Sequence, residues 1–91
     1  GDGGIDLIIR KGFRKIIVQA KHYKGNVGVS IIREMYGVMH HFKANGVIVC
    51  TSSGFSSDAQ VFVKKKPIYL INGPKLLGMF VSINSNQKKN K

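Results

Sequence analysis

Apolar residues near the start of the chain predict two β-strands joined by a tight turn. Segments 5–10 and 15–21 are both rich in Ile and Val, and the four residues between them include Gly12. Runs of β-branched residues separated by so short a connection are typical of an antiparallel hairpin. We therefore predict strands over 5–10 and 15–21 with the turn centred on Gly12 and Phe13.

The middle of the chain shows helical spacing and then an unbroken apolar run. Ser30 can cap a helix that continues to about Ala44, and the run within 46–51 predicts a strand covered on both faces, as in a sheet flanked by helices. The inward side of the helix would carry Ile31, Ile32, Met35, Val38, Met39 and Phe42.

The last third of the chain predicts helix, strand and helix. Ser56 can cap a helix that stops before Pro67, a strand follows over 68–71, and Pro74 suits the first position of a short helix through Phe80. The inward residues of the first of these helices would be Ala59, Phe62 and Val63. The whole order of elements predicts an α/β fold, a mixed central β-sheet flanked by helices.

Domain organisation is expected to be simple. A hydrophobic fraction of 43% argues against a disordered chain, and 91 residues leave room for one compact core. The segment 82–91 holds almost nothing that could be buried, so we expect a basic disordered tail there and one domain over 1–81.

Charge narrows the class of partner. Fifteen Lys and Arg stand against four acidic residues, a formal net charge of +11, and such a surplus on a small domain implies a polyanion. DNA or another nucleic acid is the first candidate, with solubility alone as the plain alternative. A membrane partner is disfavoured, because no stretch approaches the roughly 20 apolar residues of a spanning helix and the basic residues do not line one helix face.

The cysteine and histidine content carries less information. Cys50 is alone, which excludes an internal disulfide, and nothing resembles a secretory signal, so a reducing, cytoplasmic location is expected. Within its apolar run Cys50 is expected to be an inert core thiol. His40 and His41 do not predict zinc, because adjacent helical residues point in different directions and no cluster completes four ligands.

The predicted hairpin brings three polar side chains to one side of the sheet. Alternation places Asp6 opposite Gln19 and puts Lys21 diagonally from Asp6. Opposed side chains of this kind start about 5 Å apart and diagonal ones about 7 to 8 Å apart. The other face of the hairpin would be wholly apolar, with Ile5, Leu7 and Ile9 opposite Ala20, Val18 and Ile16.

A carboxylate, an amide oxygen and an ammonium group so arranged suit phosphodiester hydrolysis. Asp6 and Gln19 offer hard oxygen ligands to a divalent cation, which would polarise a phosphate and help to generate hydroxide. Lys21 could orient the attacking water or stabilise charge on the phosphate. The alternative is an ordinary amphipathic strand edge with a solvated lysine. Asp2 lies among glycines and is expected to shape a turn rather than bind metal.

These residues resemble those of a known nuclease family. The segment 1–6, GDGGID, followed thirteen positions after its aspartate by Gln19-Ala20-Lys21, is similar to the Asp and Gln-x-Lys variant of the PD-(D/E)xK motif of Mrr-like restriction endonucleases. The segment 46–55, GVIVCTSSGF, resembles that family's strand and the Thr-Ser-rich loop after it. Together the similarity spans about residues 1 to 80.

The resemblance implies a restriction-endonuclease-like layered fold and Mg²⁺-dependent cleavage of duplex DNA, with Mn²⁺ able to substitute. By it, Asp6 would be the metal carboxylate, Gln19 the second ligand, the Ala20 carbonyl a further ligand and Lys21 the catalytic lysine. Gln in place of the usual acid removes a charge and should weaken metal affinity, although this exchange is characteristic of the Mrr-like branch. The family's preceding helix and first strand, and its separate recognition domain, have no counterpart here, so a fragment of a type IV-like enzyme for modified DNA is expected.

Residues beside the motif are candidates for DNA contact. His22, Tyr23 and Lys24 follow the motif lysine directly, with Lys24 suited to a phosphate and Tyr23 to stacking or hydrogen bonding. The helix N-terminus at Ser30, with Arg33 in the predicted first turn, would favour an anion. The alternative for these residues is an ordinary polar loop.

Two other functions fit the same residues. A degenerate nuclease domain would bind DNA without metal-dependent turnover, and a junction-resolving or repair nuclease of the same superfamily would prefer branched DNA. Cutting both strands most simply needs two copies, so a homodimer is one expectation.

Overall fold

Four strands form one sheet in which the order along the chain is also the order in space. The computed structural model describes residues 5–22 and 24–89. The strands are β1 (Leu7–Lys11), β2 (Arg14–Lys21), β3 (Gly46–Thr51) and β4 (Ile68–Ile71), and the helices are α1 (Val29–His41), α2 (Ser57–Phe62) and α3 (Gly73–Lys89). The predicted fold class, a mixed sheet with flanking helices, is confirmed.

The first two strands form the predicted antiparallel hairpin. Leu7 pairs with Val18 and Ile9 with Ile16, which confirms the predicted register. Gly12 in the turn has a φ of 60°, in the left-handed region that residues other than glycine rarely adopt. The sequence pattern was therefore sufficient to place every side chain of β1 on one face or the other.

The other pairings in the sheet are parallel. Gln19 pairs with Val49 and Lys21 with Thr51, and β3 pairs with β4 in the same direction. Parallel neighbours need crossover connections, which α1 and α2 supply. Consequently β2, β3 and β4 all end at one edge of the sheet, called here the carboxyl edge, and a helix starts just beyond each of them.

One face of the sheet forms the core. Ile17, Val47, Val49 and Ile68 are buried there against Ile32, Met35 and Met39 of α1 and Ala59 of α2. This is the face that also carries Gln19. The wholly apolar face of the hairpin is the more open one, with Leu7 55% and Ile9 43% exposed. Ile48 and Cys50 on that side of β3 are half-buried, so the expectation of full burial on both faces was too strong.

The start of α1 differs from the prediction. Gly28, in extended conformation, occupies the N-cap position without a side-chain cap, and Ser30 lies inside the first turn. The cause is tertiary, because Val27 pairs with Phe55 and fixes the chain immediately before the helix. Arg33 therefore belongs to the second turn.

Other helix ends also test the predictions. Helix α1 stops at His41 rather than near Ala44, where Lys43 takes a φ of 54°. The inward set is confirmed except for Phe42, which is exposed. Ser56 caps α2 as predicted, its hydroxyl accepting a hydrogen bond from the Ala59 N–H at 3.1 Å.

Helix α3 is longer than predicted. It continues past Phe80 to Lys89, through most of the segment expected to be a disordered tail, whereas 90–91 lie outside the described residues. The segment 82–89 contains no Gly or Pro to end a helix, and its Gln and Lys residues have good helix propensity.

Of the helices in the described ranges, none has the length and apolar character needed to cross a membrane.

Candidate active site

Gln19 is the central residue of the candidate site. It lies near the end of β2 on the core face and is only 3% exposed. Its side-chain oxygen, Oε1, is buried and has no hydrogen-bond partner within residues 5–22 and 24–89. A buried acceptor left unpaired costs about 1–3 kcal/mol, so folded proteins rarely keep one without a reason. The chemistry of this atom calls for a hydrogen-bond donor or a cation.

Asp6 is fixed beside Gln19 through the backbone of the next residue. Its Oδ2 accepts a hydrogen bond from the Ala20 N–H at 2.7 Å, while its own N–H donates to the Val18 carbonyl at 2.9 Å. The regular pairing of β1 with β2 therefore stops at Leu7, and beyond it the Asp6 carboxylate, rather than a backbone carbonyl of β1, accepts the hydrogen bond of the Ala20 N–H. A carboxylate has about four acceptor sites, so one N–H leaves it capacity for a cation.

Lys21 completes the motif at the carboxyl edge. It is the last residue of β2, half-buried, and paired with Thr51 of β3. Because side chains two apart on a strand share a face, Lys21 and Gln19 lie on the same side of the sheet. A cleft of about 260 Å³ lies at this edge, lined by Ala20, Lys21, His22, Cys50, Thr51, Ser52 and Leu76. Because Ala20 and Cys50 alternate with Gln19 and Val49 along their strands, the cleft extends over the face opposite to Gln19.

The loops that follow β2 and β3 are joined through their backbones. The Val27 N–H donates to the Gly54 carbonyl at 2.8 Å, and the Ser56 N–H donates to the Val27 carbonyl at 2.9 Å. Val27 is fully buried, so this contact lies inside the protein. The two loops therefore form one wall beside the cleft.

Side-chain hydroxyls link the same loops closer to Lys21. Ser53 donates from its Oγ to the Gly25 carbonyl at 2.7 Å and lies 3.1 Å from the hydroxyl of the buried Thr51. The His22 Nδ1 lies 3.0 Å from the Ser52 Oγ. Sequence reasoning noted this Thr-Ser-rich loop but gave its residues no role. The signal that could have found them is their position just after the strand that pairs with the motif strand.

The remaining predicted DNA contacts are divided. His22 lines the cleft, and Lys24 is exposed in the adjoining loop. Tyr23 lies outside the described residues. Arg33 instead faces α2, with its guanidinium 5.5 Å from the centre of the Phe62 ring. Ser30 is exposed on α1, so the structure brings only part of the predicted set to the cleft.

Cys50 lies at the cleft rather than in the core, where it was predicted. It is half-buried and lines the cleft beside Lys21. Burial raises the pKa of its thiol above the ordinary value, which keeps it protonated at neutral pH. The prediction of an inert thiol fits this environment, although the side chain is not in the core.

The donors at this site fit a hard cation. No group of three or more His, Cys, Asp or Glu side chains that could hold a metal occurs among residues 5–22 and 24–89. A different set is present, namely the Asp6 carboxylate, the Gln19 amide oxygen and the backbone carbonyl of Ala20. All are oxygens of the kind that Mg²⁺ accepts together with water. The Gln19 oxygen, to which no group in the described part of the chain donates, is the feature that fits such an ion.

Comparison with known proteins gives a family and two curated relatives. A family model described as a restriction endonuclease matches residues 1–80. The type IV methyl-directed restriction enzyme EcoKMrr of Escherichia coli K12 is 34% identical over 85 residues, which cover 89% of this chain and 28% of that enzyme. An uncharacterized mitochondrial protein of Schizosaccharomyces pombe is 28% identical over 80 residues, covering 77% of this chain and 32% of that protein.

Among solved structures, the DNA modification-dependent restriction endonuclease AspBHI has a TM-score of 0.70 with this chain at 20% sequence identity. The match covers 86% of this chain and 22% of AspBHI, and it shows the shared fold. The chain thus spans less than a third of the length of each curated relative that it matches.

Proposed function

This chain belongs to the restriction endonuclease family that its residues 1–80 match. We propose that it is the catalytic core of a metal-dependent endodeoxyribonuclease of the type IV kind. The proposed ion is Mg²⁺, with Mn²⁺ as a substitute. The observation that carries the proposal is the buried Gln19 oxygen, which has no hydrogen-bond partner among the residues that the structure describes, together with the Asp6 carboxylate that the Ala20 amide holds in place.

Each motif residue has a separate task in this proposal. Asp6, Gln19 and the Ala20 carbonyl hold the cation, which when bound polarises the phosphate and lowers the pKa of water. Lys21 donates hydrogen bonds to the attacking water or to a phosphate oxygen, where negative charge grows. Lys21 lies two positions after Gln19 on β2, so both share one face, and the β2–β3 pairing keeps Lys21 beside Thr51.

Substrate binding uses the positive charge of the chain. A net charge of +11 attracts duplex DNA before any contact forms. His22 and Lys24 border the site on the loop after β2, and Tyr23 remains a sequence-based prediction there. Ser30 and Arg33 on α1 are proposed to contact phosphates farther from the scissile bond. Cutting of both strands would use two copies of the chain.

Plasmid cleavage tests the proposal directly. The chain is incubated with supercoiled plasmid and Mg²⁺ or Mn²⁺, at low and moderate salt, beside Lys21→Ala and a chelator control. Lys43→Ala, a change at an exposed lysine on the turn after α1, is the matched control. Nicking or linearisation that Lys43→Ala keeps, and that Lys21→Ala and the chelator abolish, is the expected result.

Two other outcomes would redirect the proposal. A folded chain that binds DNA and leaves it intact with either ion would favour a degenerate domain that binds without cutting. Preferential cutting of branched over linear duplex would favour a junction-resolving or repair nuclease. A melting temperature that rises with Mn²⁺ in the wild type and not in Gln19→Met reports metal binding separately from cleavage.

A further inference from the structure

The tip of the β1–β2 hairpin carries a cluster of cations far from the proposed active site. Arg10, Lys11, Arg14 and Lys15 fall within six residues, and no acidic residue occurs between Leu7 and Lys21. The strand register places Arg10 opposite Lys15 and Lys11 opposite Arg14. Like charges directly opposite each other destabilise a hairpin, so this arrangement does not serve folding.

The tip is exposed but firmly supported. Phe13 is 105% exposed, as open as a side chain can be, and Gly12 makes the turn. Asn45 of the α1–β3 turn binds the base of the tip twice. Its Oδ1 accepts from the Lys15 N–H, and its own N–H donates to the Lys15 carbonyl, both at 2.7 Å. The tip is therefore a braced projection of two strands.

Its cations point to both sides of the ribbon. Arg10 and Lys15 share the face of Ile17, whereas Lys11 and Arg14 lie on the opposite face, because side chains alternate along a strand. The major groove of B-DNA is about 12 Å wide, admits a two-stranded β-ribbon and is walled by phosphates on both sides. A ribbon with cations on both faces matches that shape.

We propose that residues 10–15 form a second DNA-binding element, which enters the major groove of the bound duplex and contacts phosphates of both strands. The identity of the polyanion as DNA rests on the proposed function. Lys21 lies seven positions after Arg14, which is about 23 Å along an extended strand. At about 3.4 Å per base pair, the tip reaches no more than about seven base pairs from the scissile bond.

Binding measurements with matched charge variants test this element. Anisotropy of a labelled duplex of about three helical turns is recorded with a chelator present, from about 50 to 200 mM salt. The tip variant is Arg10→Gln, Lys11→Gln and Arg14→Gln. The control variant, Lys43→Gln, Lys64→Gln and Lys65→Gln, makes the same change in net charge at exposed lysines elsewhere.

The tip variant is expected to lose about 10- to 100-fold in affinity, and its slope of log affinity against log salt should fall by about two to three. The control variant should lose much less in both quantities. Equal losses in the two variants would overturn the proposal, since they would reflect net charge alone. A loss by the tip variant that is just as large on single-stranded DNA would also overturn it, because a single strand has no groove.

Two further measurements, of the melting temperature and of the salt slope of a second variant, serve as controls. The tip variant should melt at the same temperature as the wild type or higher, because the like-charge pairs are gone. Lys21→Ala should lower the salt slope by no more than about one, the share of a single phosphate contact, because the chelator prevents cleavage and the tip is intact. A failure of plasmid cleavage therefore leaves this binding result standing, and a failure of the tip variant to lose affinity leaves the cleavage proposal standing.

Discussion

The Asp6 carboxylate and the Ala20 backbone N–H form a 2.7 Å hydrogen bond, which joins the start of the hairpin to the middle of the Gln19-Ala20-Lys21 motif. One side chain thus has a structural and a proposed chemical task. The two tasks can be separated by substitution, because an amide oxygen can accept the same N–H without carrying a charge.

We expect Asp6→Asn to fold with nearly the wild-type melting temperature and to lose metal-dependent cleavage by at least about 100-fold, as removal of a metal ligand's charge should. Asp6→Ala should lose cleavage and also about 1 kcal/mol of stability, the usual contribution of such a hydrogen bond. Thermal melts and plasmid assays of both variants provide the comparison. Full cleavage by Asp6→Asn would show that the charge of Asp6 is not needed to bind the metal.

Gln19→Met is expected to stabilise the protein while abolishing cleavage. The variant keeps the approximate side-chain volume and removes an oxygen that has no partner within the described ranges, whose burial costs about 1–3 kcal/mol. A gain of about 1 kcal/mol would raise the melting temperature by about 4–8 °C. Gln60→Met is the control, because the Gln60 side chain donates to the Phe55 carbonyl at 3.1 Å and its loss should not stabilise. A lower melting temperature for Gln19→Met would mean that the oxygen is satisfied in solution.

Gly73→Ala should destabilise the protein. A Cβ at Gly73 would clash with the Ser52 carbonyl oxygen, so either the start of α3 or the loop after β3 must move. We expect a loss of about 1–3 kcal/mol, as for other overpacked sites. Gly78→Ala in the same helix has nothing within 4 Å of its new Cβ and should be neutral or stabilising by up to about 1 kcal/mol. Denaturant unfolding of both variants measures the difference.

Ser53→Ala is expected to loosen the two loops beside the cleft. It removes the donor to the Gly25 carbonyl and the contact with Thr51, with a cost of about 1 kcal/mol. Hydrogen exchange should become faster at the Val27 and Ser56 amides, which link the same loops. Ser57→Ala, at an exposed position nearby, should leave those amides unchanged. Equal exchange in the two variants would mean that the backbone contacts alone hold the loops.

The reactivity of Cys50 should depend on pH in a defined direction. Because burial raises the pKa of its thiol, the thiolate forms at higher pH than in an unfolded chain. Iodoacetamide should therefore modify native Cys50 more slowly than the denatured protein at the same pH, with its rate curve displaced to higher pH. The same shift means that the native state is favoured below the unfolded thiol pKa and loses that advantage as the pH rises through the folded value. Superimposable rate curves would contradict the shift.

Local sequence patterns predicted the parts of this fold that neighbouring residues determine. The register of Leu7 with Val18, the bounds of β3 and the Ser56 cap each follow from a few adjacent residues. The Gly28 cap of α1 could not be found in that way. It depends on the pairing of Val27 with Phe55, a contact between residues far apart in the sequence.

The candidate site was predictable to a similar extent. Alternation placed Asp6 and Gln19 on one side of the hairpin, but it offered a wholly apolar opposite face as well. Only the position of α1 decides that the Gln19 face is buried, and without that burial its oxygen would be an ordinary polar group. The roles of Thr51 and Ser53 likewise require the parallel pairing of β2 with β3, which no local pattern specifies.

The two-residue alternation of β2 has a consequence for how such a motif can change. Gln19 and Lys21 share a face because they are an even number of positions apart and the strand stays in register with β3. Insertion of one residue between Ile17 and Gln19 would move the side chains of the whole motif to the opposite face of the sheet without changing the motif's sequence. Insertion of a second residue would return them to the original face. The motif is therefore defined by phase as well as by composition, and a graft onto another sheet must preserve that parity to carry its chemistry along.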